Sequence, residues 1–212
     1  MKSICVILLI LVACFVVWYI FRNNASKKMN LIYRNAKTSD IDQIVKIVTD
    51  NIGTSNILKT LSVDSHIIEK QNKYEIESDI DGYCVCESNG KIVGVCGISK
   101  KQNIQRYGRS FNGYRDILYL AVVEQYRGNG IATKLLGMCC DGVTDGILYE
   151  AWGDGDKVNA YKVLKRNGFK FMEDLGDTYY KDNGYCPYCI NREKGCVKCK
   201  AEIWLKNVFI RK

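Results

Sequence analysis

The most informative segment of this chain is Gln125-Tyr126-Arg127-Gly128-Asn129-Gly130-Ile131-Ala132. The residues before it, Ile117 to Val123, form an apolar run that is typical of a buried strand. After it, Ile131, Leu135 and Met138 follow at spacings of four and three residues, which predict a helix. First-turn N–H groups of a helix have no intrahelical acceptor, and the helix dipole favours negative charge there. The strand, the turn and the helix together therefore predict an anion site.

Two glycines in this segment, Gly128 and Gly130, would let a phosphate approach the backbone closely, since neither carries a Cβ and both tolerate a positive φ. Successive N–H groups of this kind form a concave nest for a diphosphate. The segment lacks the Gly-Lys-Ser/Thr ending of a P-loop and the third glycine of a Rossmann fingerprint. The alternative interpretation is a glycine turn without a ligand.

Gln125-x-x-Gly128-x-Gly130 resembles the acetyl-coenzyme A pyrophosphate loop of the GCN5-related N-acetyltransferase (GNAT) family. The resemblance extends over residues 30–206 and includes a helix that ends in Gly168-Phe169. It implies a mixed α/β fold of the GNAT acyl-CoA acyltransferase type, with acetyl-coenzyme A as co-substrate. The residues that it places at the cofactor are Val122, Gln125, Arg127, Gly128, Asn129, Gly130, Ile131, Ala132 and Asn159.

The resemblance also implies direct attack of an amine on the thioester, which needs a base and an acid. Asp116 lies where the histone-acetylating branch carries a glutamate, so it is the candidate base, acting through water; a solvated strand-end aspartate is the alternative. Family members often carry a tyrosine where this chain has Leu164. Tyr161, one helical turn earlier, is the candidate acid, although core packing or substrate contact explains it equally well.

Apolar patterning predicts the remaining elements, with residues 100–113 as a polar loop and an Asn89-Gly90 hairpin turn. The predicted strands are 31–34, 83–87, 92–99, 114–123, 147–152, 178–181 and 201–206, and the predicted helices are 38–52, about 56–71, 128–141 and 156–166.

Four cysteines near the C-terminus form two Cys-x-x-Cys pairs separated by six residues: Cys186, Cys189, Cys196 and Cys199. Two such pairs predict a tetrahedral site of four thiolates in an insertion at 184–200, at the tip of the last hairpin. Zinc is the expected ion, and iron, two disulfides or free thiols are the alternatives. The insertion is basic, but we expect a structural staple rather than a nucleic-acid contact.

The first 28 residues predict a membrane anchor and a basic linker, followed by the acetyltransferase domain at 29–212. Ile4 to Phe21 is an uncharged run of 18 residues, long enough to span ~27 Å of the ~30 Å hydrocarbon layer. A lipoprotein box at Leu11-Val12-Ala13-Cys14 and a start at Met29 are the alternatives. Because acetyl-coenzyme A and free thiols belong to the cytosol, we expect the domain to face the cytoplasm.

Composition narrows the function classes. The formal net charge is +8, of which Lys2, Arg22, Lys27 and Lys28 precede Met29, so the domain itself is too mildly basic to indicate nucleic acid. The single histidine, His66, excludes a histidine-dyad mechanism. The sequence thus predicts an N-acetyltransferase for an amine that can be small, a peptide N-terminus or a lysine. The alternative is a catalytically degenerate binding module whose metal ribbon recruits a protein or RNA partner.

Overall fold

The computed structural model describes residues 29–51, 65–106, 109–154, 160–176 and 199–206. Contacts along the chain separate one unit at Met1–Leu31 from a second at Ile32–Lys212. Almost all the described residues belong to the second unit.

The described residues form one strand, two helices, five consecutive strands and then helices and strands in turn, and a 3₁₀ turn at Thr38–Asp40 precedes the first helix. The strands are β1 (Leu31–Asn35), β2 (Tyr83–Ser88), β3 (Lys91–Ile98), β4 (Asn103–Arg106), β5 (Arg109–Asn112), β6 (Tyr114–Val122), β7 (Gly146–Asp154), β8 (Lys170–Gly176) and β9 (Cys199–Lys206), and the helices are α1 (Ile41–Asn51), α2 (Ser65–Asp79), α3 (Ile131–Cys140) and α4 (Tyr161–Arg166).

Seven strands form one sheet in the order β1-β2-β3-β6-β7-β9-β8, and β4 and β5 pair separately. The β6–β7 pair is parallel, whereas β2–β3, β3–β6, β7–β9 and β8–β9 are antiparallel. The predicted mixed α/β fold is confirmed, with the predicted strand β6 at the centre of the sheet.

The two faces of the sheet carry different helices. On one face, Val85, Val95 and Ala121 share a buried cluster with apolar residues of α1 and α2. On the opposite face, a Cβ at Gly94 would lie 2.8 Å from Ile131 and 3.1 Å from Leu135, so α3 packs directly on β3. The two faces of β6 therefore contact different side chains, and this difference matters for the site.

One predicted element was wrong, and another ends later than predicted. Residues 100–113 contain the hairpin β4–β5, because Ile104 and Phe111 lie opposite each other and are buried against Leu148 and Ile203. Each of these strands contains a single apolar residue, so no alternation shows in the sequence. Of the helix expected at about 56–71, the described part begins at Ser65 as α2 and extends to Asp79, where the sequence is polar although Ile76 is fully buried.

Asp40 is the last residue of the 3₁₀ turn before α1 and is buried. Its carboxylate accepts hydrogen bonds from both terminal nitrogens of Arg34, at 2.6 and 3.0 Å, and from the N–H of Lys37 at 2.8 Å. The hydrogen bond from Arg34 is the main reason why the pKa of Asp40 falls below its usual value. Asp40 therefore ties β1 to the start of α1.

The last two described strands, β8 and β9, are antiparallel neighbours joined in sequence by residues 177–198, whereas the sequence predicted a hairpin of 178–181 with 201–206. The expected strand at 178–181 lies outside the described residues; the strand that pairs with β9 is β8 instead. Three of the four predicted metal ligands, Cys186, Cys189 and Cys196, also lie outside them, as does the side chain of Cys199. Residues 1–28, with the predicted anchor, are outside them too.

Candidate functional site

The glycine segment lies where the sequence predicts, between the end of β6 and the start of α3. Gly128 has φ +82° and Gly130 has φ +76°, and nothing lies within 4 Å of a Cβ built on either residue. The N–H of Lys134 donates to the carbonyl of Gly130 at 3.1 Å, which is the first α-helical bond. The N–H groups of the preceding turn, Ile131 and Ala132 among them, therefore precede the helical bonding pattern and are available to an anion.

Hydrogen bonds within the glycine segment stabilise its conformation. The amide nitrogen of Asn129 donates to the carbonyl oxygens of Tyr126 at 3.1 Å and Arg127 at 3.2 Å. Gln125 is exposed and lies in a 3₁₀ turn, Glu124–Tyr126. The backbone is thus organised before any ligand binds, which lowers the entropy lost on binding.

The sequence predicts Arg127 at the cofactor, whereas in the structure its guanidinium donates hydrogen bonds to two protein groups. Its Nε donates to the carbonyl of Val122 at 3.0 Å, and Nη2 donates to Oδ1 of Asn51 at 3.1 Å. Asn51 is the last residue of α1. Arg127 therefore links the glycine segment to the end of β6 and to α1.

Strand β6 is open along part of its β7 edge. Within the described strands, its pairing with β7 covers only three positions and stops at Asp116–Leu148. By contrast, β7 pairs with β9 from Ile147 to Asp154. The two strands therefore separate beyond Asp116, and a gap opens that leads toward the glycine segment.

Backbone donors of β6 point into this gap. Val123 donates to the carbonyl of Val93 at 3.0 Å, which identifies a hydrogen-bonded pair of the β3–β6 ladder. Because antiparallel pairs alternate, the N–H groups of Val122 and of Leu120 are directed away from β3 and toward the open edge. Sequence reasoning named Val122 and missed Leu120, although the two-residue alternation of a strand would have indicated it. Such donors suit a polarised thioester carbonyl.

Asp116, the candidate base, is buried with 4% of its surface exposed. Its N–H donates to Oγ of Ser99 at 3.0 Å, and its carbonyl accepts from the N–H of Ser99 at 2.8 Å. Its partner in the ladder, Leu148, packs against the β4–β5 hairpin. A solvated strand-end aspartate is therefore excluded, and the role of Asp116 as a base stays a prediction.

Tyr161, the candidate acid, makes aromatic contacts. Its ring meets Trp204 edge to face with centroids 5.6 Å apart, and Nζ of Lys165 lies 4.6 Å from its ring centroid. Trp204 belongs to β9, which β7 separates from β6. Leu164, at the family's tyrosine position, is fully buried. The contacts of Tyr161 are those of packing, and its acid role stays a prediction. Asn159 lies outside the described residues.

A polar cluster that the sequence did not indicate lies on the α2 side of β6. The hydroxyl of Tyr119 donates to Oε2 of Glu75 at 2.5 Å and lies 3.3 Å from Oδ1 of Asn72. Nδ2 of Asn72 in turn donates to Oγ1 of Thr49 at 3.0 Å. Burial, and then the bond to Glu75, raise the pKa of Tyr119 above its usual value, so the phenol is protonated at neutral pH. Beside it, the hydroxyl of Tyr83 is buried without a hydrogen-bond partner among the described residues.

Two predicted features find no counterpart in the part of the chain that the structure describes. Its His, Cys, Asp and Glu side chains form no group of three or more that could hold a metal ion. None of its helices has the length and apolar character needed to cross a membrane. The residues that carry both predictions lie elsewhere in the chain.

Comparison with known proteins is consistent with this geometry. A model described as the acetyltransferase (GNAT) family matches residues 56–169, more than half of the chain. No curated protein matches it.

Solved structures share the fold at low identity. A chain of the NatC complex bound to Gag peptide and CoA has 16% identity and a TM-score of 0.58, with 85% of this chain and 100% of that one covered. An N-acetyltransferase from Staphylococcus aureus Mu50 has 16% identity and a TM-score of 0.57, covering 82% and 100%. An acetyltransferase from Pyrococcus horikoshii has 17% identity and a TM-score of 0.50. The match covers 68% of this chain and 44% of that chain, which is longer.

Proposed function

This chain belongs to the acetyltransferase (GNAT) family and is an acyltransferase, and on that premise we propose that it transfers an acetyl group from acetyl-coenzyme A to an amine. One observation carries the proposal. The two positive-φ glycines at the start of α3 lie at the end of the gap between β6 and β7. A diphosphate at the glycines and an extended thiol arm along the gap fit this arrangement.

In this proposal, the N–H groups of the segment Gly128 to Ala132 bind the diphosphate, and Asn129 and Arg127 keep the segment in shape. The N–H groups of Leu120 and Val122 bind the acetyl carbonyl and stabilise the negative charge that develops on it. Gln125 and Asn159 stay sequence-based assignments to the cofactor. The proposal does not depend on Asp116 or Tyr161, whose roles are separate predictions.

A panel of amines tests the proposal. The purified protein is incubated with acetyl-coenzyme A and, in turn, a polyamine, a lysine-containing peptide with a blocked N-terminus, and a peptide with a free N-terminus. We expect one class to release free thiol and to gain an acetyl group by mass spectrometry. Release of thiol without acetylated amine would show only hydrolysis, and tight coenzyme A binding without any thiol release would favour the alternative binding module.

We also propose a structural zinc ion on Cys186, Cys189, Cys196 and Cys199, a proposal supported by the spacing of the cysteines. The position of residues 177–198 between β8 and β9 fits an ion that staples a long hairpin connection. Such an ion would supply folding energy rather than chemistry to the transfer reaction.

For localisation, we propose that residues 1–28 anchor the protein in the cell membrane with the acetyltransferase domain in the cytoplasm. The apolar run from Ile4 to Phe21 supports this proposal. The cytosolic location of acetyl-coenzyme A supports this orientation.

A further inference from the structure

The proposed transfer reaction needs a group that removes the proton from the attacking nitrogen, and the role of the sequence-based candidate, Asp116, stays a prediction. A diphosphate at the start of α3 places the cofactor on the α3 side of the sheet. The amine must then reach the gap from the opposite face, where α1 and α2 lie. Any group that receives its proton should therefore lie on the α2 side of the open part of β6.

The Tyr119–Glu75 pair meets this requirement. Tyr119 pairs with Gly97, which pairs in turn with Tyr83, so Tyr119 and Tyr83 lie on the same face of the sheet, in the cluster with α1 and α2. Tyr119 is the residue directly before Leu120, whose N–H points into the gap. Tyr119 also follows Asp116, the last residue of β6 that pairs with β7 within the described strands, so it lies on the open part of β6.

The distances within the pair suit a proton relay. The phenol hydrogen of Tyr119 is directed at the Glu75 carboxylate across 2.5 Å, which is at the short end of hydrogen bonds to ionised acceptors. The phenol oxygen keeps lone-pair capacity for a second hydrogen bond, from an incoming amine. Both side chains are half-buried, neither sealed in the core nor fully solvated. Among the described residues, the other titratable groups near this region are Tyr83 of β2, Asp79 of α2 and Cys96 of β3.

We propose that Tyr119 is a catalytic residue that accepts the proton of the acceptor amine, and that Glu75 is the positioning residue that orients its hydroxyl and takes up the phenol proton. The inference rests on the proposed function. As the nitrogen–carbon bond forms, one nitrogen–hydrogen bond breaks, its proton moves to the oxygen of Tyr119, and the phenol proton moves to Glu75. The carbon–sulfur bond then breaks, and coenzyme A leaves as the thiolate, which takes a proton from water. Glu75 returns its proton to solvent.

Two variants and a matched control test the relay. Tyr119→Phe removes the hydroxyl, Glu75→Gln removes the proton acceptor, and Glu77→Gln changes an exposed carboxylate of the same helix. With the amine that the panel identifies, we expect both relay variants to lose at least tenfold in kcat, with general acid–base groups contributing roughly 10²–10⁴-fold. Coenzyme A affinity by calorimetry should stay within twofold of wild type in all three variants, and Glu77→Gln should keep wild-type kcat.

The pH profile separates chemistry from structure. Raising the pH supplies hydroxide as an alternative proton acceptor, so the deficit of Glu75→Gln should shrink at alkaline pH; a merely structural deficit would persist. If Tyr119→Phe does not fold, Glu75→Gln decides, because glutamine has nearly the same shape as glutamate and keeps an oxygen that accepts the hydrogen bond from Tyr119. A kcat within twofold of wild type for Glu75→Gln would overturn the relay while leaving acetyl transfer intact. Absence of transfer by the wild type to every amine would overturn the proposed function, and the relay with it.

Discussion

Substitution of Gly130 by valine tests the coenzyme A assignment through the backbone alone. Gly130 has φ +76°, and no protein atom lies within 4 Å of a Cβ built there. The substitution therefore causes no clash within the protein, and its cost to folding is that of a side chain in the left-handed region, about 1–2 kcal/mol. A domain with roughly 5–15 kcal/mol of stability tolerates this loss.

The same side chain would occupy the space that a diphosphate needs at the α3 N-terminus. We expect Gly130→Val to weaken coenzyme A binding at least tenfold, which corresponds to about 1.4 kcal/mol. Titration calorimetry with coenzyme A measures this directly, and circular dichroism confirms that the variant is folded.

Gly142→Val is the matched control, because Gly142 has φ +69° and equally open space around its Cβ. It lies just beyond the opposite end of α3, a helix of 10 residues and so about 15 Å long. The two variants should lose similar stability, and only Gly130→Val should lose affinity. Equal affinity losses in both, or none in a folded Gly130→Val protein, would refute the diphosphate assignment.

Three further predictions concern the metal, the Arg34–Asp40 pair and the anchor. Purified protein should contain about one equivalent of zinc and lose it in Cys196→Ser; elemental analysis that finds neither zinc nor iron would contradict the site. Asp40→Asn should lower the free energy of unfolding by about 1–3 kcal/mol at neutral pH, since it removes a buried partner of Arg34. Because the pKa of Asp40 is lowered in the folded state, this difference should be present above the unfolded pKa of ~3.9 and vanish as the pH falls through the folded value; urea unfolding at both ends of that range measures it. For the anchor, fractionation should recover the protein with membranes, its domain protected from external protease, whereas soluble protein beginning at Met29 would be incompatible with it.

The local features of the fold could be predicted from the sequence because short stretches of chain encode them. Asn89 and Gly90 both adopt positive φ, as an Asn-Gly hairpin requires. Gly128 and Gly130 do the same at the start of α3. In each case the preference belongs to the residue itself, so no distant contact is needed to reveal it.

The β4–β5 hairpin was missed because its strands are stabilised by burial of Ile104 and Phe111 on other strands rather than by a pattern of their own. Asp116 lies near the start of β6, as the sequence predicts, but only the packed structure shows that it is buried. Burial is a property of what surrounds a residue, and the sequence around Asp116 does not contain that information.

The Tyr119–Glu75 pair shows the same limit most clearly. The two residues are 44 positions apart and belong to a strand and a helix that meet through the packing of α2 on the sheet. In the sequence, neither residue stands out from its neighbours. The sequence by itself determined the glycine segment, the central strand and the family, because these depend on residues that are neighbours in the chain. The tertiary structure alone decided which polar groups face the gap in β6, because that depends on how distant elements pack.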